Sequence, residues 1–313
     1  ILLHDIGHGP FSHAMEHTIV GKVNHEQISL KFMEALNEEF NGSLTVAIEI
    51  FKGEYPKKFM GELISSQLDM DRLDYLKRDS FYTGVAEGNI NSERLITMLN
   101  VVDDHLVVEE KGIYSVEKFL VARRLMYWQA YLHKTSLVAE QLLIRALQRA
   151  KLLLQAGAEV PCSNALHFFM LNKIEYQQFT KKVLDEFSKL DDIDILSALK
   201  TWQNHPDFVL SKLSTMLLNR ELLKIKIKDE PVGKAKIEEL LIHVCTDLNI
   251  TIEEASYFVF DGEIENQAYN LSKQNIHILT KTGKLVDVAK ASDQLNLEAL
   301  SQPVTKYFIC YPK

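Results

Sequence analysis

The sequence predicts a mainly α-helical protein with a smaller α+β lobe at its C-terminal end, on three observations. Apolar residues recur at helical spacing through most of residues 1–250. Beyond about residue 250 the pattern changes to short apolar runs of strand length, with glycines at the turns. At 313 residues and 46% hydrophobic content the chain can bury a large core and divide into domains. The expected division is a core over residues 1–156, a helical extension over 157–250 and the small lobe over 251–313.

In chain order, Ile1, Leu2 and Leu3 lead into an adjacent His4-Asp5 pair, so a buried helix is expected to carry an imidazole and a carboxylate to its end. His4 and His8 are four apart and Asp5 and His8 three apart, which places them on one face of a continuing helix. Gly7 and Gly9 break that helix, and Pro10 opens a second one to about Val20, carrying Ser12, His13, Glu16 and His17. Neutral imidazole and ionised carboxylate suit Zn²⁺, Mn²⁺, Fe²⁺ or Mg²⁺. A polar corner between helices, with hydrogen-bonded His-Asp pairs, fits the same spacing.

Asn24 caps an amphipathic helix through Phe40, with His25 in its first turn. Residues 41–60, with Gly42, Gly53 and Pro56, form a connection of short helical pieces. From Leu63 to Asp79 helical spacing puts Asp71, Tyr75 and Asp79 on one face and Leu68, Leu73 and Leu76 largely on others. A ligand-bearing stripe and a solvated face of salt bridges both fit that pattern. Ser92 opens a short helix, and residues 103–114 read as a hairpin whose charged turn contains Gly112. A long helix is expected from Val116 to about Ala156, on which Arg123, Tyr127, Tyr131 and Lys134 form a cationic and aromatic stripe. It suits phosphates with a base or ribose; snorkelling arginines on a core helix are the other reading.

The helical pattern continues from Pro161 to Val232, and Lys234 to Leu248 is a further helix. Tyr257–Phe260, Ile276–Leu279, Leu285–Val288 and Tyr307–Tyr311 are the expected strands.

The net charge of −8 and the pI near 5.8 oppose binding of nucleic acid, so any anion site must be local. No run approaches membrane-spanning length and nothing reads as a secretion signal. Cys162, Cys245 and Cys310 lack metal-ligand spacing and read as reduced thiols, so a cytoplasmic protein is expected. The sequence begins inside an apparent helix without an initiating Met, and reads as a fragment.

The ordered motifs, His4-Asp5-Ile6-Gly7-His8-Gly9-Pro10-Phe11-Ser12-His13, His25-Glu26, Asp69 through Asp79, and Arg123 through Lys134, resemble the HD-domain deoxynucleoside triphosphate triphosphohydrolases. That group includes bacterial dGTPase-like enzymes and the eukaryotic SAM-and-HD-domain dNTPase. The match covers about the first half of the chain. Gly-Pro-Phe-Ser-His after the His-Asp pair separates the group from HD enzymes of cyclic nucleotides or guanosine tetraphosphate.

The resemblance implies an HD-domain helical core and a divalent metal (Mn, Mg, Fe or Zn) held by His4, Asp5 and Asp71, with one more histidine upstream of Ile1. It places His8, His13, Glu16 and His25 at the α-phosphate, with His25 as the acid for the leaving 5′-oxygen, Glu16 its acidic partner, and His13 next in line. Arg72, Tyr75, Asp79, Arg123, Tyr127, Tyr131 and Lys134 are the implied substrate contacts: Tyr75 under the sugar, Asp79 on the 3′-hydroxyl, Tyr131 screening the 2′ position. Tyr127 and Leu132 stand where some members carry histidine and glutamine. The implied reaction releases deoxynucleoside and inorganic triphosphate from a dGTP-like substrate, in a homo-oligomer, dimer or tetramer. The alternatives are an HD phosphohydrolase of another nucleotide, such as a monophosphate, and a non-catalytic nucleotide-binding regulator.

Overall fold

The computed structural model describes residues 1–16, 18, 23–271, 275–293 and 300–313. In chain order its helices are α1 (His13–Glu16), α2 (His25–Glu39), α3 (Thr45–Lys52), α4 (Lys58–Glu62), α5 (Met70–Thr83), α6 (Ser92–Thr97), α7 (Ile113–Met126), α8 (Lys134–Gln155), α9 (Asn164–Leu171), α10 (Lys181–Phe187), α11 (Asp192–Trp202), α12 (Phe208–Leu218), α13 (Lys234–Leu248), α14 (Ile252–Ala255) and α15 (Val288–Ala291). The strands are β1 (Leu99–Val102), β2 (His105–Glu109), β3 (Lys224–Lys228), β4 (Phe260–Asn266), β5 (His277–Leu279), β6 (Leu285–Asp287) and β7 (Val304–Tyr311). The protein is mainly α, and among the described residues no helix is long and apolar enough to cross a membrane.

The chain forms two compact units, one of Ile1, Thr45–His133 and Ile264–Thr305, the other of Leu2–Leu44, Lys134–Glu263 and Lys306–Lys313. In the first, α5 starts at the N-cap Asp69, whose side chain accepts the Arg72 N–H, and stops at Gly84, where φ is 73°. A left-handed residue ends a helix most cheaply when it lacks a Cβ. Leu68, Leu73 and Leu76 bury together with Val116, Phe119, Leu120 and Met126 of α7, as the helical spacing predicts. The sheet runs β1-β2-β5-β6, antiparallel except for the parallel β2–β5 pair.

Two expectations in this unit need correction. The hairpin is β1 with β2, closed by Asp103 and Asp104 at φ 51° and 61°, not by a turn at Gly112. Two successive positive φ values match the twist of a tight hairpin, and aspartate tolerates them better than most residues. Gly112 instead lets the chain into α7, since a Cβ there would meet Val108 at 2.6 Å. The expected long helix is also divided: α7 ends at Met126, a wide π-type turn covers Tyr127–Tyr131, and α8 starts at Lys134. The Leu132 N–H reaches back five residues to the Tyr127 carbonyl at 2.7 Å, which widens the turn and ends the helix.

In the second unit α8 packs with α9 and α12, and α11 with α12, around Leu142, Leu166, Phe169, Trp202 and Leu213, all fully buried. The Trp202 indole donates to the Pro161 carbonyl at 2.8 Å. Arg149 of α8 grips Asp207, the N-cap of α12, with two hydrogen bonds of 3.0 and 2.5 Å. A second sheet has the order β3-β7-β4. Its strand β3 lies inside the expected helical stretch; Lys-Ile-Lys-Ile-Lys alternates with a period of two, which outweighs its neighbours' helical pattern. The strand expected at Tyr257 begins only at Phe260, because the capped turn of α14 extends over the residues before it.

The expected helix at Ile1–Leu3 is a run of turns, with Leu2 exposed and the bonds Ile6 N–H to Leu3 and His8 N–H to Asp5 spanning three residues. Of the second predicted helix, only α1 is helical among the described residues; His17 and the side chain of His13 lie outside them.

Candidate functional site

The histidine-rich turn is seated on α2. Gly7 N–H donates to Oγ of the fully buried Ser29 at 2.9 Å, and a Cβ on Gly7 would lie 2.3 Å from both the His25 carbonyl oxygen and the Ser29 nitrogen. Only glycine permits this approach. It sets His4, Asp5 and His8 against the first turn of α2, where Asn24 closes a capping box with Gln27 and His25 begins the helix.

The side chains then converge. His4 Nε2 lies 3.2 Å from Asp5 Oδ2, and His8 Nε2 lies 3.7 Å from Asp5 Oδ1. The rings of His8 and His25 stack with centroids 3.9 Å apart and planes 16° from parallel. His25 Nδ1 is 2.7 Å from Glu16 Oε1, which also accepts the His25 backbone N–H at 2.6 Å. One oxygen of Glu16 thus satisfies a first-turn donor of α2 and orients the imidazole. Asp5, His8 and His25 each offer a ligand atom, all within 4.8 Å of one another. Lys134 is exposed at the start of α8.

The other unit carries the remaining predicted residues. Asp71 lies in the first turn of α5. Asp69, two residues before it, is fully buried and committed to the cap: it accepts the N–H groups of Ser66 and Arg72 and the Arg72 guanidinium. Tyr131 donates its hydroxyl to Asp79 Oδ2 at 2.7 Å, and its ring meets Tyr75 and Tyr127 edge to face at centroid distances of 6.0 and 5.2 Å. The Arg123 guanidinium lies 5.9 Å from the centre of the Tyr127 ring and donates to the Ala268 carbonyl at 3.2 Å. The Nε atoms of Arg72 and Arg123 are buried and find no acceptor among the described residues. Burial pushes the phenol of Tyr75 well above its ordinary value, with Tyr127 adding and Arg123 opposing. Burial, then the bond to Asp79, does the same to Tyr131. Both rings stay hydroxyl donors at neutral pH.

Sequence reasoning gave no role to Ser29 or Asp192. Ser29 is four residues after His25 and so one turn above it, a signal present in the sequence. Asp192, which accepts the Phe11 N–H at 2.9 Å, is 181 residues from its partner, and nothing local points to it.

A family model described as an HD associated region matches residues 90–159. The crystal structure of a phosphohydrolase from Bacteroides thetaiotaomicron is 55% identical and superposes with a TM-score of 0.95, covering 100% of this chain and 78% of that one. YwfO of Bacillus subtilis, an uncharacterized protein, is 30% identical over 327 residues, which cover 100% of this chain and 72% of YwfO. The chain belongs to the HD-domain phosphohydrolase family. Another relative of this HD-domain phosphohydrolase is the deoxynucleoside triphosphate triphosphohydrolase SAMHD1 homolog of Dictyostelium discoideum, 29% identical over 166 residues, or 48% of this chain and 32% of that one.

HD-domain phosphohydrolases are hydrolases that use a metal. The donors fit one: carboxylate and imidazole nitrogen are hard and borderline ligands suited to Mg²⁺, Mn²⁺, Fe²⁺ or Zn²⁺, and His4 Nε2 and Asp5 Oδ2 present one of each 3.2 Å apart.

Proposed function

We propose that the chain hydrolyses a deoxynucleoside triphosphate, dGTP or a close analogue, to the deoxynucleoside and inorganic triphosphate. The observation that carries this reading is the continuous array Glu16, His25, His8, Asp5, with contacts of 2.7, 3.9 and 3.7 Å. In the proposed reaction water adds to the α-phosphorus and the bond from phosphorus to the 5′-oxygen breaks. The 5′-alkoxide is a poor leaving group, so it needs a proton as it departs. His25 donates that proton from Nε2 while Glu16 fixes the ring at Nδ1. His13 is the second acid candidate. We assign His4, Asp5 and Asp71 to hold the divalent metal, which when bound polarises the α-phosphate as a Lewis acid.

Arg72, Arg123 and Lys134 are assigned to the phosphates; the unsatisfied Nε atoms of the two arginines support this, because a buried N–H without an acceptor is costly and a phosphate oxygen would relieve it. Tyr75, Tyr127 and Tyr131 are assigned to the sugar and base edges, and Asp79 to the 3′-hydroxyl, alongside or in place of the Tyr131 hydroxyl. Incubating each dNTP with the protein and a divalent metal should release triphosphate. Release of orthophosphate or pyrophosphate, or full activity in His4→Ala and Asp71→Ala, refutes the reading.

One observation favours a second reading. Helix α7 ends at Met126 and α8 begins at Lys134, so Arg123 and Lys134 do not lie on one continuous helix, which fits a nucleotide with fewer phosphates. On that reading Arg123→Ala leaves turnover intact.

A further inference from the structure

Phe11 and Ser12 carry side chains yet sit at φ 51° and 44°, a left-handed region disfavoured for residues with a Cβ. Such a conformation persists only where its surroundings impose it. Here the Ser12 N–H bonds the Gly9 carbonyl at 3.0 Å, the N–H groups of Ala14 and Met15 bond the Phe11 and Ser12 carbonyls at 3.1 Å each, and the Phe11 N–H is held by Asp192 Oδ1 at 2.9 Å. This turn brings Ser12 Oγ to 2.8 Å from Nδ1 of His8. On the opposite edge of the same ring, Nε2 lies on the side of the Asp5 carboxylate, 3.7 Å from Oδ1, and His25 covers the ring face.

A neutral imidazole carries one hydrogen, and its neighbours decide on which nitrogen. A carboxylate near Nε2 favours the hydrogen there, and a hydroxyl can then donate to Nδ1. We infer that Ser12 is a positioning residue: its hydroxyl donates to Nδ1 and holds His8 in the Nε2–H form, so that His8 is a hydrogen-bond donor to a phosphate oxygen and not a base. The inference rests on His8 acting in the proposed phosphohydrolase reaction. Asp192 supports it at one remove, by holding the left-handed turn.

Ser12→Gly separates strain from function, because glycine accepts the left-handed backbone but has no hydroxyl. The expected result is a melting temperature equal to or above that of the wild type, with kcat for triphosphate release about tenfold lower and KM little changed. A merely structural serine would leave kcat unchanged in the stabilised variant. Long-range ¹⁵N–¹H spectra of the imidazoles, recorded on the protein in Mg²⁺ buffer, read the tautomer directly. His8 is expected as Nε2–H in the wild type and as a mixture in Ser12→Gly. Ser12→Asn, which tolerates a positive φ and has an amide donor, should recover the wild-type spectrum and part of the turnover. An Nδ1–H form in the wild type, or a His8 spectrum unmoved by Ser12→Gly, overturns the inference. The expected spectra in a wild-type protein that releases no triphosphate would uphold the positioning and refute the substrate reading.

Discussion

Replacing Glu16 by glutamine removes the charge beside the proposed acid, His25, and little else. Oε1 of Glu16 accepts both Nδ1 and the backbone N–H of His25, at 2.7 and 2.6 Å, with the two side chains only 24% and 15% exposed for His25 and Glu16. A hydrogen bond to a charged acceptor contributes about 1.5–3 kcal/mol, and to a neutral one about 0.5–1.5. The difference, roughly 1–2 kcal/mol, would be lost from the protonated form of His25, the form that donates to the leaving 5′-oxygen. At about 1.4 kcal/mol per tenfold, that is a loss of roughly 5–30-fold in kcat. Glutamine can still accept the backbone N–H, so α2 keeps its first-turn partner and the melting temperature should stay close to that of the wild type. Glu16→Ala loses both bonds, and should lower kcat further and cost about 1–2 kcal/mol of stability through the orphaned His25 N–H. The assay is steady-state release of triphosphate from dGTP at saturating divalent metal, with melting measured on the same samples. A Glu16→Gln protein within twofold of wild-type kcat refutes the role given to the Glu16–His25 pair.

Gly7→Ala should destabilise by about 1–3 kcal/mol or more in urea unfolding, since its Cβ would collide with backbone atoms of α2 at 2.3 Å and cannot be relieved by a rotamer change; a wild-type midpoint would show that the turn is not seated there. Arg149→Met breaks a pair whose side chains are 12% and 13% exposed, at an expected cost of about 3 kcal/mol. Burial alone would raise the Asp207 carboxyl, but the hydrogen bonds from Arg149 and the Leu210 N–H outweigh it and hold the carboxyl below its ordinary value. The contribution is therefore complete above the unfolded aspartate value of about 4 and is lost as the pH falls through the lowered folded value, so the wild-type advantage over Arg149→Met should be flat from about pH 5 to 7 and shrink below about 4. Tyr131→Phe removes the bond to Asp79 and should cost about 1 kcal/mol in the same unfolding assay. Chelation should abolish hydrolysis, and added Mn²⁺ or Mg²⁺ should restore it; activity that survives exhaustive chelation contradicts the metal assignment.

The helical periodicities that placed α2 and α5 were legible because each helix has one buried stripe and a polar cap at its start: Asn24 in a capping box, Asp69 on the Arg72 N–H. Where the reading slipped, a local competitor had been overlooked. Asp103-Asp104 makes a tighter hairpin than a turn around Gly112 because two adjacent residues must take positive φ, and sequence periodicity carries no φ information. The wide π-type turn over Tyr127–Tyr131 interrupts a stretch whose sequence pattern continues unbroken. In β3, five residues of period two were absorbed into longer helical runs on either side.

The histidine cluster was legible for a different reason: its members are crowded within a few positions, so any compact turn would bring several of them together. The order of contact was not legible. Turns in place of a helix mean that i to i+4 spacing does not govern His4 and His8, and the stacking of His8 on His25 follows from Gly7 lying against the α2 backbone. A glycine needed for close approach looks in sequence like a glycine that merely breaks a helix. The two differ in what alanine does: at a helix end with open space the substitution is cheap, whereas at Gly7 it should displace Asp5 and His8 from His25 and lose hydrolysis together with stability. Alanine at Gly53, where φ is 73° and nothing lies within 4 Å, is the matched control, since it carries backbone strain without a collision. If the Gly53 variant loses as much hydrolysis as the Gly7 variant, the close approach at the turn is not what assembles the site.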